Sequence, residues 1–308
     1  MKTFIKNILQ PLTSRFRDRK NNYISYKDRL IRRCKNSKLK YSLLTAQEAL
    51  SHKKSDTIFI LGSGPSINDI TPEQWDVIRR HDSFGFSFWV VHWFIPTFYT
   101  VEYSHYKYLR EKYNETFSQK KRNIKYSQSV VFVSSRERQR GAHPLYTPER
   151  FPKEPKIFYY PYPDVLSVPN TRRFREGDFE GFSFKLGEKG IIYRGTLSLV
   201  IALACQMGYK NIALLGIDLK DSRCFYDNYE EMKWVNRAEK ESDKYDPLVW
   251  GHPARIHGTM LSKGGKHPIS EYIYALNEYC LIPNGINLYV GNPDSLLAER
   301  LRVFSWEI

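Results

Sequence analysis

A parallel α/β sheet with helices on both faces is the fold class this sequence predicts, and three observations predict it. Short, largely apolar runs such as Thr-Ile-Phe-Ile-Leu at 57–61 and Asn-Ile-Ala-Leu-Leu-Gly-Ile-Asp at 211–218 read as strands buried on both sides. Helix signals and glycine turns separate them, so strand-like and helix-like stretches alternate along the chain. The length of 308 residues, with 22 Tyr and 18 Phe, is enough to bury one large core.

Taken in order, residues 1–54 stand apart as a basic amphipathic segment. They hold 15 Lys/Arg and 3 Asp/Glu, a net +12, whereas 55–308 hold 33 and 30, a net +3. Ile5, Ile8, Leu9 and Leu12 recur at helical spacing among the basic residues, with Pro11 limiting the helix. Such a segment suits the anionic inner face of a membrane, at about 1 kcal/mol per basic residue near the surface, or a partner subunit in a homo-oligomer. A solvated tail is the plain alternative. No recognisable nucleic-acid module follows, so nucleic acid is not an expected partner.

The strand at 57–61 runs into Gly62-Ser63-Gly64-Pro65. The glycines allow a tight turn with unobstructed backbone N–H groups, and the proline pre-sets a helix N-terminus. Together they form an anion site, with an ordinary βα turn as the alternative. Thr71, Pro72 and Gln74 make a capping-box start for a helix over 71–78. Strands are expected over 82–91, 96–102 and 129–134, with a polar helix over 104–116. The stretch 141–188, rich in Pro, Tyr, Phe and Arg and poor in period, reads as an excursion over the sheet edge.

Regularity returns with an apolar helix over 195–207, ended by Gly208. The strand 211–218 follows and puts Asp218 at a carboxyl end, where open parallel sheets keep ligand-facing groups; capping the next turn is its alternative role. A lid is expected over about 219–266. After it come a helix over 270–282, a strand over 287–291, and a turn into a C-terminal helix over 292–301.

Several classes are excluded on chemistry. No run approaches 18 apolar residues, and the first ten are too short in apolar length for a convincing signal peptide. Cys34, Cys205, Cys224 and Cys280 are scattered without C-x-x-C spacing, which suits a reducing compartment. His252, His257, His267, Asp243 and Asp246 fit no strong ligand pattern, so no metal is expected. Gly62-x-Gly64 lacks the third glycine of a dinucleotide fingerprint, and Ser87 and Phe88 stand where its acidic residue would be. Neither a Gly-Lys-Ser/Thr phosphate loop nor a Gly-x-Ser-x-Gly elbow is present.

Four separated blocks carry a resemblance: Gly-Ser-Gly-Pro-Ser at 62–66, Ala202 through Gly-Tyr-Lys-Asn-Ile to Gly-Ile-Asp218, His267 with Ala275-Leu276, and Asn-Pro-Asp-Ser-Leu-Leu-Ala at 292–298. In order and spacing they resemble the small bacterial sialyltransferases that decorate lipooligosaccharide and capsule with CMP-activated sialic acid. The resemblance implies a single Rossmann-like sheet of the GT-A-like sialyltransferase variant, with a lid, occupying 55–308. It implies an inverting transfer from a CMP-sugar to a surface glycan or glycolipid without a required metal or other cofactor. The basic segment and the scattered cysteines add the expectation of a cytoplasmic enzyme peripheral to the inner membrane face.

It also implies residue roles. His267 is the candidate general base, since a histidine titrates near the working pH. Tyr226 and Lys220 are the candidates to stabilise the departing phosphate; the family has tyrosine where Lys220 stands. Gly62, Ser63, Gly64, Ser66, Ser87, Tyr193, Arg194, Gly195 and Asp218 are the candidate nucleotide-donor contacts. Ser63 and Ser87 replace family asparagines, which leaves the sugar open among sialic, legionaminic and pseudaminic acids and Kdo. Arg194 can pair with a donor carboxylate in a fork. Two other readings stay open: an ATP- and Mg²⁺-dependent pterin diphosphokinase-like enzyme, and a non-catalytic nucleotide- or glycan-binding module.

Overall fold

The computed structural model describes residues 42–100, 116, 125–134, 156–220, 222–230, 256–262 and 265–307. In chain order the strands are β1 (Ser42–Leu44), β2 (Thr57–Leu61), β3 (Asp82–Phe86), β4 (Phe98–Thr100), β5 (Val130–Ser134), β6 (Lys156–Tyr160), β7 (Asp164–Val165), β8 (Ile191–Ile192), β9 (Asn211–Leu215), β10 (Asn287–Val290) and β11 (Arg302–Val303). Nine of them form one sheet in the order β1-β6-β5-β4-β3-β2-β9-β10-β11, while β7 and β8 pair apart. Every pairing is parallel. The expected class, an α/β protein with a mostly parallel sheet, is the class observed.

Strand alternation explains why helices cover both faces. Ile58 and Ile60 of β2 join Phe84, Phe86, Ile212, Leu214, Leu288 and Val290 on one face. There they meet α3 (Gly195–Gln206), α4 (Ile269–Leu276) and Ala49 of α1 (Ala46–Leu50). Phe59, Leu61, Tyr99, Ala213 and Leu215 point the other way, against Trp75, Val77 and Ile78 of α2 (Pro72–Arg80) and Phe304. α3 has no charged residue and is buried all round, as a helix lying against a sheet and under another helix must be. α2 shows the predicted capping box, with the Gln74 N–H donating to Thr71 Oγ1 at 3.3 Å and the Thr71 N–H to Gln74 Oε1 at 3.0 Å.

Strand order climbs outward from β2 through β3, β4, β5 and β6, and in the opposite direction from β9 to β11, so it reverses between β2 and β9. Ligands of open parallel sheets bind in the crevice outside the carboxyl ends of the two strands at such a reversal. The turn at 62–64 follows β2, and Asp218 follows β9.

Several expectations are corrected. The strand expected over 82–91 ends at Phe86 and gives way to a 3₁₀ turn over Ser87–Val91, because Ser87 adopts a left-handed φ of +54° that no strand continues. The excursion at 141–188 contains β6, an inner strand between β5 and β1, which its irregular flanks conceal. β9 stops at Leu215, so Asp218 lies beyond the strand in a turn where Gly216 has φ +63° and Leu219 +60°. No C-terminal helix forms; a 3₁₀ turn over Leu296–Glu299 leads to the edge strand β11.

The sheet also begins earlier than residue 55, because β1 pairs with β6 and Ala49 is buried in the main core. Residues 1–41 of the amphipathic segment expected over 1–54, all but residue 116 of the helix expected over 104–116, and residues 221, 231–255 and 263–264 of the lid expected over about 219–266 lie outside the described residues. Among the described residues no helix is long and apolar enough to cross a membrane.

Candidate active site

Asp218 organises the crevice. It is 3% exposed, and both carboxylate oxygens are taken within the protein. Oδ2 accepts the Ser66 N–H at 3.1 Å from a residue 152 positions away, and Oδ1 accepts Asn292 Nδ2–H at 2.9 Å. Its backbone oxygen receives the Leu296 N–H at 3.0 Å, while Ser295 Oγ donates to Ile217 O at 2.6 Å. A buried carboxylate is tolerable only with such partners. Asp218 therefore caps the 3₁₀ turn Pro65–Asp69 across the sheet reversal rather than capping its own following turn.

The glycine turn differs from the open cradle expected of it. The Gly62 N–H donates to Leu215 O at 2.8 Å and the Gly64 N–H to Gly216 O at 2.7 Å. With the Ser66 amide on Asp218 and no N–H on Pro65, these donors are spent in lacing the end of β2 to the segment after β9. Both glycines are needed for closeness. A Cβ at Gly62 would stand 2.2 Å from Ile217 Cδ1, and one at Gly64 would stand 2.3 Å from Asp218 Oδ2. Ser63 remains at the tip, partly exposed, its carbonyl accepting the Phe225 N–H at 2.9 Å.

That bond carries the chain to Tyr226. Tyr226 packs edge-on against Phe225 at 4.9 Å and Phe88 at 5.9 Å, inside the aromatic layer under α2. Ser87, just before Phe88, is held in its left-handed conformation with its carbonyl accepting the Tyr99 hydroxyl at 2.5 Å. Ser63, Ser87 and Tyr226 are thus linked through Phe225 and Phe88. Lys220 is half-exposed, with Nζ 3.8 Å from Asp294 Oδ2.

His267, Tyr193, Arg194 and Gly195 form a third group at the head of α3. His267 is buried. Its carbonyl accepts Tyr193 Oη–H at 3.3 Å and Arg194 Nη1–H at 3.0 Å. Burial holds the Tyr193 phenol above its ordinary range, so it serves as a neutral donor. The Arg194 guanidinium also donates to Leu261 O at 2.9 Å and Gly258 O at 3.5 Å. It thereby gathers the carbonyls of the 258–267 stretch. Gly195 opens α3 with φ +76° and lies beside Thr259.

The segment 256–262 ties this group to the crevice, since the His257 N–H donates to Leu219 O at 3.2 Å. His257 Nδ1 bonds Thr259 at 2.8 Å. Among the described residues no three His, Cys, Asp or Glu side chains gather as a metal site.

Sequence reasoning missed four contributors. Asn292 and Ser295 brace Asp218 and its neighbour; their block was visible, but not its target. Arg172 and Phe174 close on the imidazole from a stretch without periodicity. The Arg172 carbonyl accepts from His267 Nε2 at 2.7 Å, and the Phe174 ring lies 4.8 Å from the imidazole.

No family model matches the chain, and no curated protein matches it. Among solved structures it is similar to the monofunctional alpha-2,3-sialyltransferase Cst-I from Campylobacter jejuni, at 17% identity and TM-score 0.45 over 82% of this chain and 81% of that one. The sialyltransferase CstII from Campylobacter jejuni, in complex with cytidine-5'-monophosphate, aligns at 17% identity and TM-score 0.41 over 81% and 85%. The MAf glycosyltransferase from Magnetospirillum magneticum AMB-1 aligns at 13% identity and TM-score 0.45 over 87% of this chain and 36% of that one. At such identities and TM-scores these likenesses carry no argument for activity; the α/β class rests on the sheet itself.

Proposed function

We propose that this chain is a glycosyltransferase that moves an acidic 2-keto sugar from its CMP donor to a glycan or glycolipid hydroxyl. One observation carries the reading: the four family-like blocks, scattered along the sequence, converge at the sheet reversal. Ser66 of the first and Asn292 of the fourth both bond Asp218 of the second. The α4 that follows His267 joins them through Tyr274 Oη–H to Leu296 O at 2.9 Å.

In the proposed transfer the acceptor oxygen bonds the anomeric carbon as the bond from that carbon to the phosphate oxygen breaks. The electron pair leaves on CMP, and the acceptor proton passes to His267. Tyr226 and Lys220 are proposed to meet the charge growing on the phosphate, and attack opposite the leaving group inverts the anomeric centre. No step calls on a metal. The basic residues of 1–41 are proposed to hold the enzyme on the inner membrane face.

A thermal-shift panel with CMP, CTP, ADP, NAD and ATP with Mg²⁺, each with and without EDTA, tests the reading. A ligand at 100-fold its Kd stabilises by about 2.7 kcal/mol. Stabilisation by CMP or CTP that survives EDTA is the expected result; stabilisation by ATP with Mg²⁺ alone refutes it.

A further inference from the structure

The 169–178 loop carries an ion pair and an aromatic ring whose purpose the reading above does not use, and both bear on His267. His267 Nε2 faces two backbone carbonyls, Arg172 O at 2.7 Å and Pro169 O at 3.1 Å. A carbonyl oxygen cannot donate, so the hydrogen sits on Nε2, and in the neutral ring the lone pair sits on Nδ1. No hydrogen bond to Nδ1 is formed among the described residues.

The loop is fixed at both ends of the contact. Pro169 bridges Lys266, and the Asn170 N–H donates to Gly265 O at 2.8 Å. Beyond Arg172, its guanidinium grips Asp178 in a fork, Nη1 to Oδ2 at 2.7 Å and Nη2 to Oδ1 at 2.6 Å, and the Arg175 N–H adds a bond to Oδ2 at 2.9 Å. The Arg172 fork, chiefly, holds the Asp178 carboxyl below the ordinary carboxylate range, so the pair is charged at neutral pH. Inside the closed loop, Phe174 is buried against the imidazole, Tyr193 and Tyr272.

We propose that the Arg172–Asp178 clasp is the positioning device for His267: it holds the Arg172 carbonyl on Nε2–H and Phe174 on the ring face, so that Nδ1 is the atom that receives the acceptor proton. This rests on the reading of His267 as the base. The same carbonyls stabilise the imidazolium once the proton arrives, because hydrogen bonds from a charged donor are stronger than neutral ones. Arg172 and Asp178 act through His267 and touch no substrate. A bidentate fork is the arrangement that arginine makes and lysine does not.

The test is direct observation of the tautomer in ¹⁵N-histidine-labelled full-length protein, by ¹⁵N–¹H correlation of the ring nitrogens, with the His267 signals assigned by their loss in His267→Gln. The expected wild-type pattern is the Nε2–H tautomer. Asp178→Ala should convert it to a tautomer mixture, and Asp178→Glu should restore it. An Nδ1–H tautomer in the wild-type protein overturns the proposal without any variant of the clasp having to fold. An unchanged tautomer in folded Asp178→Ala overturns it as well. Failure of the underlying reading shows separately: His267→Gln that releases CMP from CMP-sialic acid as fast as wild type removes the base and leaves the tautomer result standing.

Discussion

The turn at 62–64 makes a quantitative claim that a single methyl group tests. Gly64 has φ −64°, so alanine fits its backbone and any cost is one of space alone. The added Cβ would lie 2.3 Å from Asp218 Oδ2 and 2.8 Å from Gly216 O. Gly216 cannot retreat easily, since its carbonyl takes the Gly64 N–H at 2.7 Å. Asp218 is left to move, which breaks its bond to the Ser66 N–H. Overpacking costs about 1–3 kcal/mol, and a lost hydrogen bond to a charged group about 1.5–3 kcal/mol. Gly64→Ala should therefore destabilise by roughly 2.5–6 kcal/mol in urea unfolding. Gly285→Ala is the control: its Cβ meets nothing within 4 Å, and only its φ of +68° is strained, costing about 1–2 kcal/mol. In an Asp218→Ala background the Gly64→Ala cost should shrink, because the 2.3 Å contact is gone. A Gly64→Ala cost no larger than that of Gly285→Ala, or one unchanged by removing the Asp218 side chain, refutes the bracket.

Two further outcomes follow from the aromatic side of the crevice. Burial pushes His92 down to about 4, and its Nδ1 accepts the Phe94 N–H at 3.1 Å. The unfolded chain, with a histidine pKa of about 6.5, then binds the extra proton between those values. Stability is thus complete above pH ~6.5 and falls by up to about 1.4 kcal/mol per unit as the pH drops toward 4. His92→Phe should flatten that fall, leaving the smaller contributions of His52 and His81, which burial also lowers; equal urea midpoints lost by both proteins between pH 7 and 5 would contradict it. At Ser87, glycine removes a left-handed strain of about 1 kcal/mol and keeps the Tyr99 bond, which goes to the backbone carbonyl. Ser87→Gly should be neutral to about 1 kcal/mol stabilising in the same assay, and a loss above 1 kcal/mol would show that the Ser87 side chain is needed.

The sheet was legible where a segment's own residues decide its state. β2, β5, β9 and β10 are uncharged apolar runs, and the Thr71 capping box announces α2 by side chains that bond their own backbone. What sequence hides is decided by partners. β6 contains Lys156 and three aromatic residues among irregular neighbours and becomes a strand because β5 and β1 flank it. Ser87 ends β3 through a backbone angle that serine rarely adopts, a choice made by the Tyr99 hydroxyl and the packing of Phe88. The helix expected over 292–301 is cut short because Ser295 and Leu296 bond the chain beyond β9 instead of continuing a helix.

The site shows the same division at closer range. Glycine-x-glycine after a buried strand does mark the sheet reversal, but for closeness as well as openness: the Gly62, Gly64 and Ser66 amides are bonded to Leu215, Gly216 and Asp218. An aspartate at that reversal likewise marks the crevice while its own oxygens are consumed in bracing three chain segments. In the proposed transfer, recognition of the charged donor would fall to side chains around the reversal. Ser63 lies at the tip of the turn, and among the described residues Lys220 makes a loose, exposed contact with Asp294, an interaction that water screens to little net value. An ammonium in such a contact can turn to an anion at small cost, whereas three of the five Arg194 N–H donors are already bonded to carbonyls. The motif residues thus build the frame, while Ser63, Ser87 and Lys220, where this chain departs from the resembling family, make no buried side-chain hydrogen bond among the described residues.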